Sequence, residues 1–250
     1  MSQIQTHAPV AIVTGASRGI GAAIAQRLAA DGHAVVVNYA GNRAEAEKVV
    51  AAIIERGGRA IAVQADVGEA GAAQRLFDAA TEAFGGVDVL VNNAGAMASD
   101  LPHLADTDDA TFDRLFDINV KGSFLAMREA ARRLRPGGRI VNFSTSVIGL
   151  ALPGYAVYAA TKSAIETMTS ILAKELRGRN ITVNAVAPGP TATALFLDGK
   201  TPERVQQLAK MAPLERLGQP EDIANVVALL AGPQGAWING QTIRANGGIV

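Results

Sequence analysis

Val10-Ala11-Ile12-Val13-Thr14-Gly15-Ala16-Ser17-Arg18-Gly19-Ile20-Gly21 decides the fold. Its first residues are apolar and mostly β-branched, the pattern of a strand buried on both faces. Glycines at 15, 19 and 21 then open an Ala-rich amphipathic stretch, Gly19–Asp31. A strand that turns on glycines into a helix brings the positive helix end to one point, which is a cradle for phosphate. Glycine permits both the tight turn and the close approach of a pyrophosphate. The spacing is Gly-x3-Gly-x-Gly rather than the commoner Gly-x-Gly-x2-Gly. Gly15, Ser17, Arg18, Gly19, Ile20 and Gly21 are therefore the expected contacts of a dinucleotide.

The same rhythm continues outward. Short apolar runs at Ala34–Tyr39, Ala60–Ala65, Val87–Asn92, Arg139–Phe143, Ile181–Ala187 and Gln241–Ala245 follow Val10–Thr14. Helical stretches lie between them at Arg43–Arg56, Ala70–Phe84, Asp108–Leu134, Tyr158–Leu176 and Glu221–Leu230. Near-continuous apolar strands alternating with helices predict a doubly wound, seven-stranded parallel α/β sheet, Rossmann-like, with helices on both faces. Gly and Pro mark the joints, and no repeat or linker divides the chain, so residues 1–250 are expected to form one domain. Residues 190–213 interrupt the pattern after a strand end. A segment at the carboxyl edge of such a sheet lies where ligands bind, and a flap over a substrate pocket is expected there.

Composition excludes several classes. With 49% hydrophobic and 18% charged residues the chain can build a sizeable core. Its 23 basic residues balance 23 acidic ones, leaving no electrostatic footprint for nucleic acid or an anionic membrane. The absence of cysteine excludes disulfides, thiolate metal sites and cysteine nucleophiles. His7, His33 and His103 have no ligand spacing, so no metal is expected. Met1–Pro9 is polar and lacks a signal-peptide apolar core, and a cytoplasmic location is the expectation.

The end of the second strand bears on the cofactor. A site for NAD places an acid there to bind the ribose 2′-hydroxyl. Asn38-Tyr39-Ala40-Gly41-Asn42-Arg43 has no carboxylate before Glu45. The gap leaves room for a 2′-phosphate, with Arg18 and Arg43 as sources of positive charge. NADP(H) is the expected cofactor, with NAD(H) as the alternative.

Tyr158 and Lys162 are four positions apart, so on a helix they share a face. A phenol of pKa near ~10 is a poor proton relay at neutral pH. Bringing it to about 7–8 takes roughly 3–4 kcal/mol. An ammonium about 4 Å away supplies ~4 kcal/mol at an effective dielectric near 20. The pair is adequate for a tyrosine acid/base.

These motifs, in this order from Val10 to the C-terminus, resemble the short-chain dehydrogenase/reductase family in its single-domain branch. The resemblance assigns Gly15, Gly19 and Gly21 to the glycine motif and Asp66-Val67 to the adenine contact. Asn92-Asn93-Ala94-Gly95 matches the motif that supports sheet and cofactor. Asn119 matches the helix asparagine that anchors a relay water, and Tyr158 and Lys162 match the catalytic pair. Pro188-Gly189 with Thr193 matches the segment that holds the nicotinamide. The family also places a serine after the fifth strand. Counting back from Tyr158 favours Thr145, whereas the following Val-Ile-Gly favours Ser146; Ser144 also carries a hydroxyl. Ser146 is the expected donor.

The resemblance implies reduction of a ketone or quinone to an alcohol with Tyr158 as proton donor. An NAD-dependent alcohol dehydrogenase and a non-catalytic NADP sensor are the alternatives. The nearest branches are those of the tetrahydroxynaphthalene reductases and 3-oxoacyl-carrier reductases. Residues 96–101, 150–155 and 195–197 are the expected pocket lining, mostly apolar with no guanidinium clamp, which suits a neutral lipophilic substrate. The face Ala164, Ile165, Met168, Ile171 and Leu172 is expected to pack between subunits of a homotetramer.

Overall fold

The computed structural model describes residues 8–250 apart from Asp198, and the side chain of Leu195 is likewise outside the description. The readings that fall on Met1–His7, Leu195 and Asp198 therefore lie outside the described residues. The chain runs β1 (Val10–Val13), α1 (Gly19–Ala30), β2 (Ala34–Tyr39), α2 (Arg43–Glu55), β3 (Arg59–Gln64), α3 (Ala72–Phe84) and β4 (Val89–Asn92). It continues with α4 (Asp109–Leu115), α5 (Gly122–Arg133), β5 (Arg139–Phe143), α6 (Val147–Leu150), α7 (Ala156–Glu175) and β6 (Thr182–Pro188). Last come α8 (Ala194–Leu197), α9 (Pro202–Lys210), α10 (Pro220–Ala231) and β7 (Thr242–Ala245).

The seven strands form one parallel sheet in the order β3-β2-β1-β4-β5-β6-β7. Every residue of β1, β2 and β4 is buried, because helices cover both faces. One face packs Ile24 and Leu28 of α1, Ile53 of α2 and Ile223, Val227 and Leu230 of α10. The other packs Leu76 and Phe77 of α3, Met127 of α5 and Leu176 beside α7. The order reverses between β1 and β4, so the connections leave in opposite directions there and open a crevice at their carboxyl ends.

The helix expected over Asp108–Leu134 is not one regular helix. Between α4 and α5, Phe116–Lys121 form a π turn that carries Asn119. A π turn widens the coil and takes its carbonyls out of the i→i+4 ladder, and such turns gather at functional sites. The flap region contains two helices that the sequence pattern did not separate, α8 and α9. Thr201 caps α9 by accepting from Arg204 N at 3.3 Å, and Pro202 starts it.

Buried asparagines tie neighbouring strands. Asn92 donates to Asn142 Oδ1 at 2.8 Å, and Asn142 donates to Thr169 Oγ1 of α7 at 2.8 Å and to Met127 Sδ of α5 at 3.3 Å. The network clamps α7, with its Tyr158 and Lys162, to the sheet. Asn142→Ala strands the Asn92 amide in a dry interior and removes the bond that Thr169, whose hydroxyl still donates to Ile165 O, accepts, at a cost of about 2–3 kcal/mol. A thermal melt should fall by roughly 5–10 °C, given about 2–4 °C per kcal/mol for a domain of this size; an unchanged melting point would show the network to be idle.

Candidate active site

The glycine turn forms because each glycine meets a separate demand. Gly15 and Gly19 hold φ of +62° and +56°, a region that L side chains avoid. Gly21 is needed for space: a Cβ there would meet Gly15 O at 2.3 Å and Asn93 Nδ2 at 2.5 Å. The turn is fixed from outside. Asn38 at the end of β2 accepts from Gly15 N at 3.1 Å, and Asn93 Nδ2 donates to Thr14 O at 2.9 Å and Gly15 O at 3.1 Å. Ala94 N donates to Thr14 Oγ1 at 3.0 Å, joining the segment after β4 to the turn after β1.

A cleft of about 960 Å³ runs along the carboxyl edge of the sheet. Gly15, Ser17, Arg18, Gly19, Ile20, Gly21, Asp66, Val67, Asn93, Ala94 and Gly95 line it, as do Ser144, Thr145, Ser146, Tyr158, Lys162, Pro188, Gly189 and Thr193. The sequence-predicted contacts are thus gathered in one continuous cavity. Asn119 is buried behind the wall. Arg43 is not among the lining residues; it pairs with Glu47 at 2.6 Å on its own helix. Arg18, in extended backbone just before α1, is the arginine the cleft uses. The cavity's length, its glycine floor at a helix N-terminus and the lack of an acid at the end of β2 fit a dinucleotide. Asp66 closes a local turn by accepting from Gly68 N at 3.0 Å and stands at the expected adenine end.

Lys162 is buried, its Nζ donating to Phe143 O at 3.0 Å and lying 5.8 Å from the centre of the Tyr158 ring. Burial lowers its pKa to about 8. The Tyr158 phenol is pushed above its ordinary value, first by burial and then by the neighbouring Tyr155, against a hydrogen bond from Thr145 that acts to lower it. The simple expectation that the Lys162 charge brings the phenol down is therefore not met by this arrangement. Low polarity dominates, and Tyr158 stands as a protonated acid beside a lysine whose proton is loosely held.

The three hydroxyls after β5 have separate tasks. Ser144 donates to Glu166 Oε1 at 2.6 Å. Ser146, the expected donor, instead gives its proton to Ala187 O at 3.1 Å and accepts from Asn246 Nδ2 at 2.9 Å. Thr145 accepts from Val147 N at 3.3 Å, and its side chain acts on the Tyr158 phenol, favouring the ionised form against the effect of burial. The Val-Ile-Gly that favoured Ser146 becomes α6, whose start turns Ser146 back towards β6.

Asn119 spends its whole side chain on structure. It accepts from Ala96 N at 2.7 Å and donates to Ala96 O at 2.9 Å and Thr161 Oγ1 at 3.1 Å. Any water it anchors has to meet its backbone carbonyl, in the π turn.

A family model described as enoyl-(acyl carrier protein) reductase matches residues 15–250. A short-chain type dehydrogenase/reductase of Picea abies is 49% identical over 249 residues, covering 96% of this chain and 92% of that protein. The chain is a short-chain dehydrogenase/reductase. An NADPH-dependent aldehyde reductase-like protein of Arabidopsis thaliana, named as chloroplastic, is 48% identical over 96% of this chain and 94% of its own length. A short chain dehydrogenase from Burkholderia cenocepacia, solved in complex with NADP, superposes with a TM-score of 0.91 at 40% identity, covering 98% of this chain and 99% of that one. The protein is accordingly an NAD(P)-dependent oxidoreductase of this family.

The pocket lining departs from expectation in one respect. Ala96, Met97, Leu101, Leu150, Leu152, Pro153, Tyr155 and Phe196 supply the apolar wall, but Lys200 and Arg204 of the flap reach the cleft too. Sequence spacing gave no sign of them, because the fold of the flap carries them there. Gly21→Ala tests the cradle. With backbone on one side and Asn93 on the other, the turn must open, and dinucleotide affinity in a fluorescence titration should fall about 10- to 100-fold, the scale of a 1–3 kcal/mol overpacking strain. Wild-type affinity in this variant would show that the turn does not hold the cofactor.

Proposed function

We propose that the protein is an NADP-dependent carbonyl reductase acting on ketones or quinones, with Tyr158 as proton donor and Thr145, not Ser146, as the second hydroxyl on the substrate oxygen. What carries this reading is that Ser144 and Ser146 give their protons to Glu166 and Ala187 O, while Thr145 lines the cleft with Tyr158 and acts on its phenol. When bound, the dinucleotide supplies the hydride. Thr145 and Tyr158 hydrogen-bond the carbonyl oxygen and gain strength as negative charge grows on it, which lowers the barrier selectively in the transition state. Tyr158, held protonated by burial, then gives up its proton. Lys162, a cation at neutral pH with a pKa of about 8, is the group through which that proton is replaced. The backbone carbonyl of Asn119, in the π turn, is the acceptor that this relay would use next towards solvent.

Arg18 in the cleft and the absence of an acid on β2 support NADP over NAD. So do the relatives, one described as NADPH-dependent and one solved with NADP. The proton relay is complete, which favours an enzyme over a sensor.

Reduction of a panel of aromatic and aliphatic ketones and quinones, followed at the absorbance of NADPH and NADH, tests the reading. NADPH is the expected donor. Thr145→Val should lower kcat about 100-fold or more, the scale of losing one oxyanion donor, and Ser146→Ala should cost only a few-fold in kcat along with some stability. The reverse ranking would return the role to Ser146.

The same reading includes a homotetramer. Of the face expected between subunits, Ile165 is buried and Met168 and Leu172 pack on the core that holds Leu76, Phe77 and Met127, whereas Ile171 is exposed, as are Phe112 and Phe124 on α4 and α5. Those three exposed side chains support self-association. Light scattering on the purified protein should give four times the 25.8 kDa chain mass; a monomer mass would remove the proposal.

A further inference from the structure

The two ends of the cleft differ in charge. Among the described lining residues the carboxylates are Glu45, on α2, and Asp66, after β3, both at the end expected to take adenosine, where they accompany Arg18. At the other end, Lys200 and Arg204 bring positive charge and no described carboxylate answers them. Lys200 Nζ donates to Phe196 O at 2.5 Å and lies 4.7 Å from the centre of the Phe196 ring. Among the described residues the Arg204 guanidinium donates to Gln207 of its own helix, at 3.2 Å, and its charge acts on the phenol of Tyr155. The Tyr155 ring in turn stands edge-on to that of Tyr158, centres 6.4 Å apart. From the proton donor outward, the wall therefore runs Tyr158, Tyr155, guanidinium.

The helix that carries Arg204 is itself unfinished. α9 is amphipathic over nine residues, yet none of them is fully buried. Val205, Leu208 and Ala209 are half-buried, and Leu208 and Met211 face into the cleft. A helix this short gains its stability from packing its apolar face, not from its own hydrogen bonds. What remains uncovered is an apolar strip bordered by two cations, and this is the negative image of an amphiphilic anion.

We propose that the substrate is a carbonyl compound with an apolar, ring-sized body and an anionic group at its far end, and that Arg204 with Lys200 selects it by binding that anion at the mouth. The inference rests on the carbonyl-reductase reading and adds to it the class of substrate. It replaces the neutral substrate that the sequence suggested. The apolar body covers Leu208 and Met211, so binding and completion of the flap become one event. A carboxylate, a sulfonate or a phosphate would satisfy the same two cations; carboxylates are the simplest to vary.

The test compares 4-acetylbenzoate and 4-acetylbiphenyl-4′-carboxylate with their methyl esters, which keep the shape and remove the charge. Wild-type kcat/KM should favour an acid over its ester by about five- to tenfold, the scale of a partly exposed charge-assisted contact. Arg204→Gln and Lys200→Gln should each erode that preference by raising KM for the acid, with NADPH affinity kept. Equal KM increases for acid and ester, weakened NADPH binding, or no preference in the wild type would each overturn the proposal. Calorimetric titration of the same compounds into the NADP-loaded protein separates it from the reductase reading. Tighter binding of acid than ester, lost in Arg204→Gln, with no NADPH consumed, would keep the anion site and remove the reductase. Equal binding of acid and ester would remove the anion site whatever the turnover.

Discussion

A buried amide group must be paired, and the architecture depends on how that demand is met at the carboxyl edge of the sheet. A side-chain amide taken from water without a partner costs several kcal/mol. Strands β2, β4, β5 and β6 each carry a buried asparagine: Asn38, Asn92, Asn142 and Asn184. Each is satisfied across a strand boundary. Asn38 bonds the glycine turn and Ala65 O, Asn92 and Asn142 bond each other, and Asn184 bonds Ile238 O and Gln241 N. Asn38 and Asn92 do this near the carboxyl ends of β2 and β4, where loops leave the sheet, whereas Asn184 does it at the amino end of β7, where a loop enters. The loops that hold the cofactor and the reacting groups are thus fixed to the sheet by the same bonds that keep the sheet dry.

The site inherits its chemistry from that dryness. Tyr158 and Lys162 were read from spacing as a pair in which the cation lowers the phenol. In the folded chain both groups are pushed towards their neutral forms by burial, the phenol up and the amine down to about 8. An acid that keeps its proton beside a base that holds its proton loosely suits delivery of a proton to a substrate oxygen. The environment assigns these roles, and a helical repeat says nothing of environment.

What the sequence made legible was what local pattern controls. Strand and helix order, the glycine turn, the Tyr158–Lys162 face and the cofactor end of the cleft follow from periodicity and motif, and the strand positions hold to within a residue or two. Spacing left Thr145 and Ser146 both open, because which way each hydroxyl after β5 turns depends on the contacts of α6 and β6, such as that of Ser146 with Ala187 O, and local pattern does not carry those. Lys200 and Arg204 were missed because they are distant in sequence from the motifs and reach the cleft only through the tertiary placement of α9. The asparagine network had a signal, one asparagine near the end of several apolar strands, that no motif names.

The π turn at Phe116–Lys121 has a consequence for how this chain can change. It amounts to one residue more than a regular helix would use to link α4 to α5. The bulge absorbs that residue, so removing a single residue there would restore regular winding and leave α5 in its present register, with Met127 still on Asn142 and Ala126 and Ala130 still in the core. What would go is the wide turn that sets Asn119 against Ala96 and Thr161. A deletion in a segment that looks, residue by residue, like unremarkable helix would thus spare the core and undo the wall behind the cleft.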